Sequence, residues 1–312
     1  MRYSVVIPAY NEQEVLPESH KRLRATMDAL GEPYELIFVN DGSRDETPRI
    51  LARLAQEDPH VKVINFSRNF GHQAAVSAGL DRAAGQAIVI IDADLQDPPA
   101  VIPELIEKWK QGYDVAYGQR AQRDGETFFK KVTAKTYYRL LNRLTEGRIP
   151  VDTGDFRLID RKVAEVMRAM PEHNRFLRGM VSWVGFKQTP VLYHREERFA
   201  GETKYPLKKM LKLAFDGITA FSFSPLSYPT KLGGGVVGGG LVYLLVLVIL
   251  AIAGRAPAGW NWAVAALVCL NGLVLLMMGV QGQYIGRIFE ETRGRPLYIV
   301  GETIGFEEEN ER

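Results

Sequence analysis

One apolar run of this chain ends in carboxylates. In "VIIDADLQDPP", residues 89 to 99, Asp92, Asp94, Gln96 and Asp97 follow directly on Val89, Ile90 and Ile91, and Pro98 and Pro99 close the stretch. A strand buried on both faces tolerates carboxylates at its tip only where something compensates their charge, because an unpaired buried carboxylate is heavily penalised. Alternate residues of an extended chain project to one side, so Asp92, Asp94 and Gln96 would converge there. Their carboxylate and amide oxygens are hard ligands suited to Mg²⁺ or Mn²⁺. The competing reading is a solvated acidic turn, capped by Asp97 and the two prolines.

The elements that must position this cluster show a regular rhythm over the first two hundred residues. "YSVVIPAY", "YELIFVND", "VKVINFS" and "AIVIIDADL" read as short Val/Ile-rich strands, and between them "EVLPESHKRLRATMDAL" and "TPRILARLAQE" have helical spacing. Strands alternating with helices predict a parallel sheet covered on both faces. In such sheets ligands sit at the carboxyl ends of the strands. Polar stretches fall there: "PAYNE" (Pro8 to Glu12) after the first strand, "NDGS" (Asn40 to Ser43) after the second, "DADLQD" (Asp92 to Asp97) after the fourth. A dinucleotide-binding dehydrogenase would need a glycine-rich turn after the first strand so that the backbone could approach a pyrophosphate. That turn holds Tyr10, Asn11 and Glu12 instead. A diphosphate held by a metal rather than by backbone amides fits these residues better.

Six segments in order, "VVIPAYNE", "VNDGSRDET", "FSRNFGHQAAVSAGL", "DADLQDPP", "VDTGDFRLIDR" and "RFAGETKYPLKKM", followed by two long apolar stretches, give the chain a wider likeness. It resembles the inverting nucleotide-sugar glycosyltransferases of the GT-A fold. Within them it resembles the polyprenyl-phosphate glycosyltransferases, which include dolichyl-phosphate mannose synthase and bacterial undecaprenyl-phosphate glucosyltransferases. The resemblance spans nearly the whole chain. It implies a Rossmann-like α/β catalytic domain in which Pro8, Tyr10 and Glu12 cradle the base and ribose of the donor and Asp41 contacts the base. It implies that Asp94 and Gln96 ligate the metal, with Asp92 facing the ribose or the metal through water. Asp155, in "VDTGDFRLIDR", matches the acid placed near the reacting carbon of the sugar; the competing reading is that it caps a turn after Gly154. The resemblance makes Asp94 and Asp155 the catalytic pair. A phosphate monoester has a second pKa of about 6, so much of the acceptor is already a dianion at neutral pH. Asp155 is therefore open to two roles, general base or orienting residue.

Binding a lipid phosphate calls for cations. Arg120, and Arg198 with Lys204, match positions where the family grips the acceptor phosphate, and arginine's planar fork suits phosphate oxygens. Lys131 is a further candidate, although "FFKKVTAKTYYRLL" also reads as an amphipathic helix whose lysines are merely solvated. The implied donor is UDP-glucose, with GDP-mannose and other UDP-sugars as alternatives. The product would be a β-linked polyprenyl-phosphate sugar. A processive polysaccharide synthase would carry a Gln-x-x-Arg-Trp motif and more apolar spans, and this chain shows neither. A non-catalytic scaffold would have no reason to keep Asp92, Asp94, Gln96 and Asp155.

Residues 232 to 254, between Lys231 and Arg255, are 23 in number and carry no formal charge, and a second apolar stretch runs from Trp262 to Val280. Each is long enough to cross a bilayer as a helix. Basic residues flank the pair (Lys204, Lys208, Lys209, Lys212 and Lys231 before it, Arg287, Arg293 and Arg295 after it), while the turn has only Arg255. The positive-inside rule then predicts an inner-membrane, multi-pass protein with both termini cytoplasmic. The expected organisation is a GT-A domain over residues 1–205, an interfacial amphipathic segment over 206–228, a transmembrane hairpin over 229–282 and a tail over 283–312. Gly234 with Gly238, and Gly235 with Gly239, have the small-xxx-small spacing of close helix packing, so a homo-oligomer, dimer or tetramer, is open. Cys269 is the only cysteine, which excludes an intrachain disulfide and a cysteine-based zinc site. The net charge of +2 on 312 residues gives no support to nucleic-acid binding. The opening "MRYSVVIPAYNE" reads as a strand rather than a cleavable signal peptide.

Overall fold

The computed structural model describes residues 1–120, 153–173, 175–194, 252–253 and 260–306. The chain divides into two compact units, Met1–Leu211 with Pro296–Arg312, and Lys212–Arg295.

The first unit is built on one eight-stranded sheet in the order β7-β5-β6-β4-β1-β2-β3-β8. Its strands are β1 (Tyr3–Ala9), β2 (Tyr34–Asn40), β3 (Val61–Phe66), β4 (Ala87–Ile90), β5 (Val115–Arg120), β6 (Thr153–Asp160), β7 (Gln188–Tyr193) and β8 (Val300–Ile304). Every residue of β1 and β2 is buried, as expected of central strands covered on both faces. Tyr3, Val5, Ile7 and Ala9 point into a core shared with Leu16, Leu23 and Met27 of α1 (Leu16–Asp28) and with Leu105 and Ile106 of α4 (Ile102–Lys110). Both helices begin with proline in the first turn, where its missing N–H costs no bond. α2 (Thr47–Glu57) adds Leu51 and Leu54 to the same face. On the opposite face α3 (His72–Arg82) lies so close to β1 that a β-carbon on Gly79 would fall 2.2 Å from Val6 Cγ1.

The sheet is mixed rather than parallel. β1, β2, β3 and β4 run parallel, but β6 is antiparallel to β4 and β5, and β8 is antiparallel to β3. The direction of β6 matters for the site. Its residues pair Ile90 with Arg157, and the antiparallel register carried two residues further sets Asp155 across from Asp92 at the carboxyl end of the sheet. β6 leads into α5 (Arg161–Ala169), capped by Asp160, whose carboxylate accepts the Lys162 N–H, and then into α6 (Leu177–Trp183). β8, within "RPLYIVGETIG", adds to the β3 edge of this chain.

Two expectations need correction. The reading of a membrane-spanning hairpin, and of a multi-pass inner-membrane protein, is not upheld: among the described residues no helix is long and apolar enough to cross a membrane. The stretch read as its second arm is the first part of α7 (Trp260–Thr292), one helix of 33 residues that includes Asn271 and runs unbroken into Gln281, Gln283, Arg287, Glu290 and Glu291. The first arm, apart from Ile252 and Ala253, lies outside the described residues, as do the interfacial segment 206–228 and the Gly233 to Gly240 run. The second correction concerns "DADLQD", which is not extended. β4 ends at Ile90, and Leu95 sits in the left-handed region at φ 58°.

Proline explains why β4 stops. Ile91 N–H donates to Val6 O, so the even-numbered residues of β1 face β4. The next β1 residue facing that way is Pro8, which has no N–H to continue the ladder. The chain peels away at Asp92.

Candidate active site

Two loops at the carboxyl end of the sheet are stitched together by side chains that the sequence places there. Asn11 N–H donates to Ser43 Oγ at 2.9 Å, Arg44 N–H to Asn11 Oδ1 at 2.9 Å, and Glu12 N–H to Thr47 Oγ1 at 2.9 Å. Asn11 takes a left-handed φ of 54°, which asparagine tolerates better than most residues. Gly42 adopts φ 63°, and a β-carbon there would lie 2.3 Å from the Arg68 carbonyl carbon, so only glycine fits that turn. Of the five donor-binding candidates, Pro8 is a buried β1 residue while Tyr10 and Glu12 lie in the loop beyond it, with Tyr10 exposed.

Asp41 is buried and already engaged. Its carboxylate accepts the Phe70 N–H at 2.7 Å, the Gly71 N–H at 3.0 Å and Asn69 Nδ2 at 2.8 Å. Burial raises its pKa, against the lowering effect of those backbone donors and of His72. Asp41 therefore holds the turn that ends at Gly71, whose φ of 102° admits glycine and launches α3 with His72 as its first residue.

His72 joins the two acidic elements. Its Nε2 lies 3.3 Å from Asp155 Oδ2 and 3.7 Å from Asp92 Oδ1. Burial alone would lower its pKa, but the two carboxylates outweigh burial and push it up to about 9. Arg178, from α6, grips Asp155 from the other side, with Nε 2.7 Å from Oδ1 and Nη2 3.4 Å from Oδ2. Gln73 bridges the same elements, its Nε2 3.5 Å from Asp155 Oδ2 and its Oε1 accepting the Leu177 N–H at 2.9 Å. Burial would raise the Asp155 pKa, yet Arg178 and His72 hold it well below the ordinary carboxylate range. Arg157, buried in β6, donates from Nη2 to Gly154 O at 2.8 Å and so fixes the backbone entering Asp155. Burial lowers its own pKa to about 10, which leaves it a cation at neutral pH.

Asp92 contrasts with Asp155. Its Oδ1 is buried without a hydrogen-bond partner among the described residues. Burial, together with Asp155, Asp97 and Asp94, pushes its pKa up to about 6, with His72 pulling the other way. Asp94 is buried, and its Oδ1 accepts the Gln96 N–H at 3.1 Å within the turn. Among the described residues no three His, Cys, Asp or Glu side chains form a complete metal cage. An orphaned carboxylate oxygen near a second carboxylate fits a hard divalent cation, which Asp92 and Asp94 would hold.

Arg120, the last residue of β5, reaches the same region: a β-carbon on Gly154 would lie 3.6 Å from its Nη2. Lys131, Arg198 and Lys204 lie outside the described residues. The structure thus brings together Asp92, Asp94, Gln96, Asp155 and Arg120. His72, Gln73 and Arg178 are additions that the sequence reading missed. Their one sequence signal is that "FGHQ" and "RFLRG" pack polar side chains between glycines and apolar residues.

Comparison with known proteins places the chain's sequence in a family. The model of Glycosyl transferase family 2 matches residues 4–168. An uncharacterized glycosyltransferase, YkcC of Bacillus subtilis, is 54% identical over 98% of this chain and 95% of its own length. A prophage bactoprenol glucosyl transferase homolog of Escherichia coli is 42% identical over 96% of this chain and 98% of its own. The bactoprenol glucosyl transferase of Shigella phage SfII is 40% identical over 96% of this chain and 97% of its own.

Proposed function

We infer that this chain, which belongs to Glycosyl transferase family 2, is an enzyme that transfers glucose to a polyprenyl phosphate. The observation that carries the reading is the likeness, over 96% of the chain, to proteins named bactoprenol glucosyl transferase. Its finer terms are UDP-glucose as donor and inversion at the anomeric carbon, giving a β-linked lipid sugar.

The residues suit that reaction. The Tyr10–Glu12 loop, held against residues 43 to 47, offers a rigid wall for the nucleoside. Asp92, Asp94 and Gln96 would hold Mg²⁺ or Mn²⁺, which when bound supplies neutralisation of the charge on the leaving nucleoside diphosphate. Asp155 lies across from that turn, where a sugar between donor and acceptor would meet it. Its carboxylate is committed to Arg178, His72 and Gln73, so it is a weak proton acceptor and a well-fixed hydrogen-bond acceptor. That favours the orienting role: Asp155 holds the sugar, and the phosphate dianion attacks without needing a base. Arg120 would grip the attacking phosphate, lowering its repulsion from the donor.

The test is the product's anomeric configuration. UDP-glucose, polyprenyl phosphate and the purified full chain should give a β-linked glucosyl phosphate by its proton coupling in NMR. An α-linked product would rule out inversion, and transfer only to a non-phosphorylated acceptor would rule out the function.

A further inference from the structure

We propose that Tyr193 is a positioning residue for Arg120, anchoring it to Asp97 so that its guanidinium is held ready for the acceptor phosphate. The proposal rests on the function inferred above and adds a residue that the family motifs do not single out.

The parallel register of β5 and β7 sets Arg120 directly beside Tyr193. The Tyr193 ring is wedged in place: it meets Phe156 edge to face at 5.6 Å, and a β-carbon on Gly118 would come within 2.8 Å of it. Its hydroxyl donates to Asp97 Oδ1, and the Arg120 guanidinium is near enough to favour the ionised phenol, against burial and Asp97. Tyr193 is only 4% exposed and Asp97 only 2%, so this relay is closed off from solvent. Asp97 belongs to the turn after β4, one residue beyond Gln96 and three beyond Asp94. The phenol therefore connects the turn of the proposed metal ligands to the arginine proposed for the acceptor.

The other side of Arg120 is not satisfied. Its Nε is buried and has no hydrogen-bond partner among the described residues. The β-carbon position of Gly154 lies 3.6 Å from Arg120 Nη2 and 3.9 Å from Asp97 Oδ2, so the guanidinium and its anchor both sit against the backbone that enters Asp155. A guanidinium fixed at one edge, with a buried donor still open, is prepared for an anionic oxygen. Holding it in advance lowers the rotamer entropy lost on binding. The side chain lacking at Gly154 leaves the approach clear.

The experiment measures acceptor and donor constants separately, using the full chain with UDP-glucose, Mn²⁺ and polyprenyl phosphate in detergent micelles. Tyr193→Phe removes the hydroxyl and keeps the wedge. It should raise the half-saturating polyprenyl phosphate concentration roughly tenfold, the effect of one hydrogen bond to a charged group, and leave the UDP-glucose KM unchanged. Asp97→Leu should reproduce that shift, and the double variant should add nothing to it. Asp97→Asn keeps an oxygen for the phenol and should stay within about twofold of the parent. If Arg120→Ala raises the acceptor constant while neither Tyr193→Phe nor Asp97→Leu does, the anchoring role is overturned. If Arg120→Ala itself leaves the acceptor constant unchanged, the phosphate role of Arg120 fails, a separate result from failure of the anchor.

Discussion

Asp58 and Asp92 are both aspartates packed against histidine, at opposite ends of the same sheet, and they are treated in opposite ways. Asp58, at the amino end, is 1% exposed in its side chain and accepts from the His60 N–H at 3.0 Å, His60 Nδ1 at 2.9 Å and His20 Nε2 at 2.9 Å, with Arg24 Nη1 at 3.5 Å. Burial alone would raise its pKa, but these donors outweigh burial and lower it. Asp92, at the carboxyl end, has one oxygen without a hydrogen bond among the described residues and a pKa pushed up to about 6. A carboxylate with all its partners stabilises the fold. One with a single distant histidine and an unbonded oxygen keeps room for more positive charge, which a divalent cation would supply.

The comparison can be broken most severely at the turn itself. Asp94→Ala should lower transfer by roughly a thousandfold, the scale of several kcal/mol of lost charge stabilisation, with the melting temperature nearly unchanged. A variant that unfolds instead would make the turn structural. Asp58→Ala should do the reverse, costing about 3–5 kcal/mol in chemical denaturation because His20, His60 and Arg24 lose their shared partner. Its pH dependence has a definite sign. The folded pKa of Asp58 lies below the unfolded value, so the unfolded chain binds the extra proton in that interval. The contribution is complete at neutral pH and is lost as pH falls below about 4 through the folded pKa. Asp58→Asn should flatten that acid limb, and an unchanged limb would assign it to other carboxylates.

Asp155→Asn separates the two roles left open for that residue. A general base would cost on the order of a hundredfold or more, and near-normal turnover would leave orientation as its whole contribution. The smallest expected effect is at the edge of the Asp58 cluster. Tyr34 stacks on His60 at 4.3 Å and donates to Asp28 Oδ1 at 2.6 Å. Tyr34→Phe should cost about 1 kcal/mol, with activity intact.

Much of this site could be read from residue type alone. Carboxylates directly after Val-Ile-Ile, and polar loops after two other strands, locate the carboxyl end of the sheet without coordinates. Pro8 even explains why the strand releases Asp92, once the neighbouring hydrogen bond from Ile91 to Val6 is known. The reversal of β6 was not legible, because strand direction is set by pairing partners rather than by composition. His72, Gln73 and Arg178 were missed for a related reason. Each lies far in sequence from Asp155, and only the packing of α3 and α6 around β6 makes them neighbours. The resemblance assigns Asp41 to the base, and only the structure shows that its carboxylate also accepts from the Asn69–Gly71 turn. Hydropathy misled at residues 262–280, where an apolar stretch is one part of a longer helix with a polar continuation.

The measurement that tests the central claim most directly is nucleoside diphosphate release by the purified full chain from UDP-glucose, with and without polyprenyl phosphate, with and without Mn²⁺, beside Asp94→Ala. Release of UDP that requires the lipid phosphate, the metal and Asp94 together, with glucose recovered on the lipid, is the predicted result. No release from UDP-glucose under any of these conditions would contradict the claim of glucosyl transfer, and release indifferent to the lipid phosphate would contradict the acceptor.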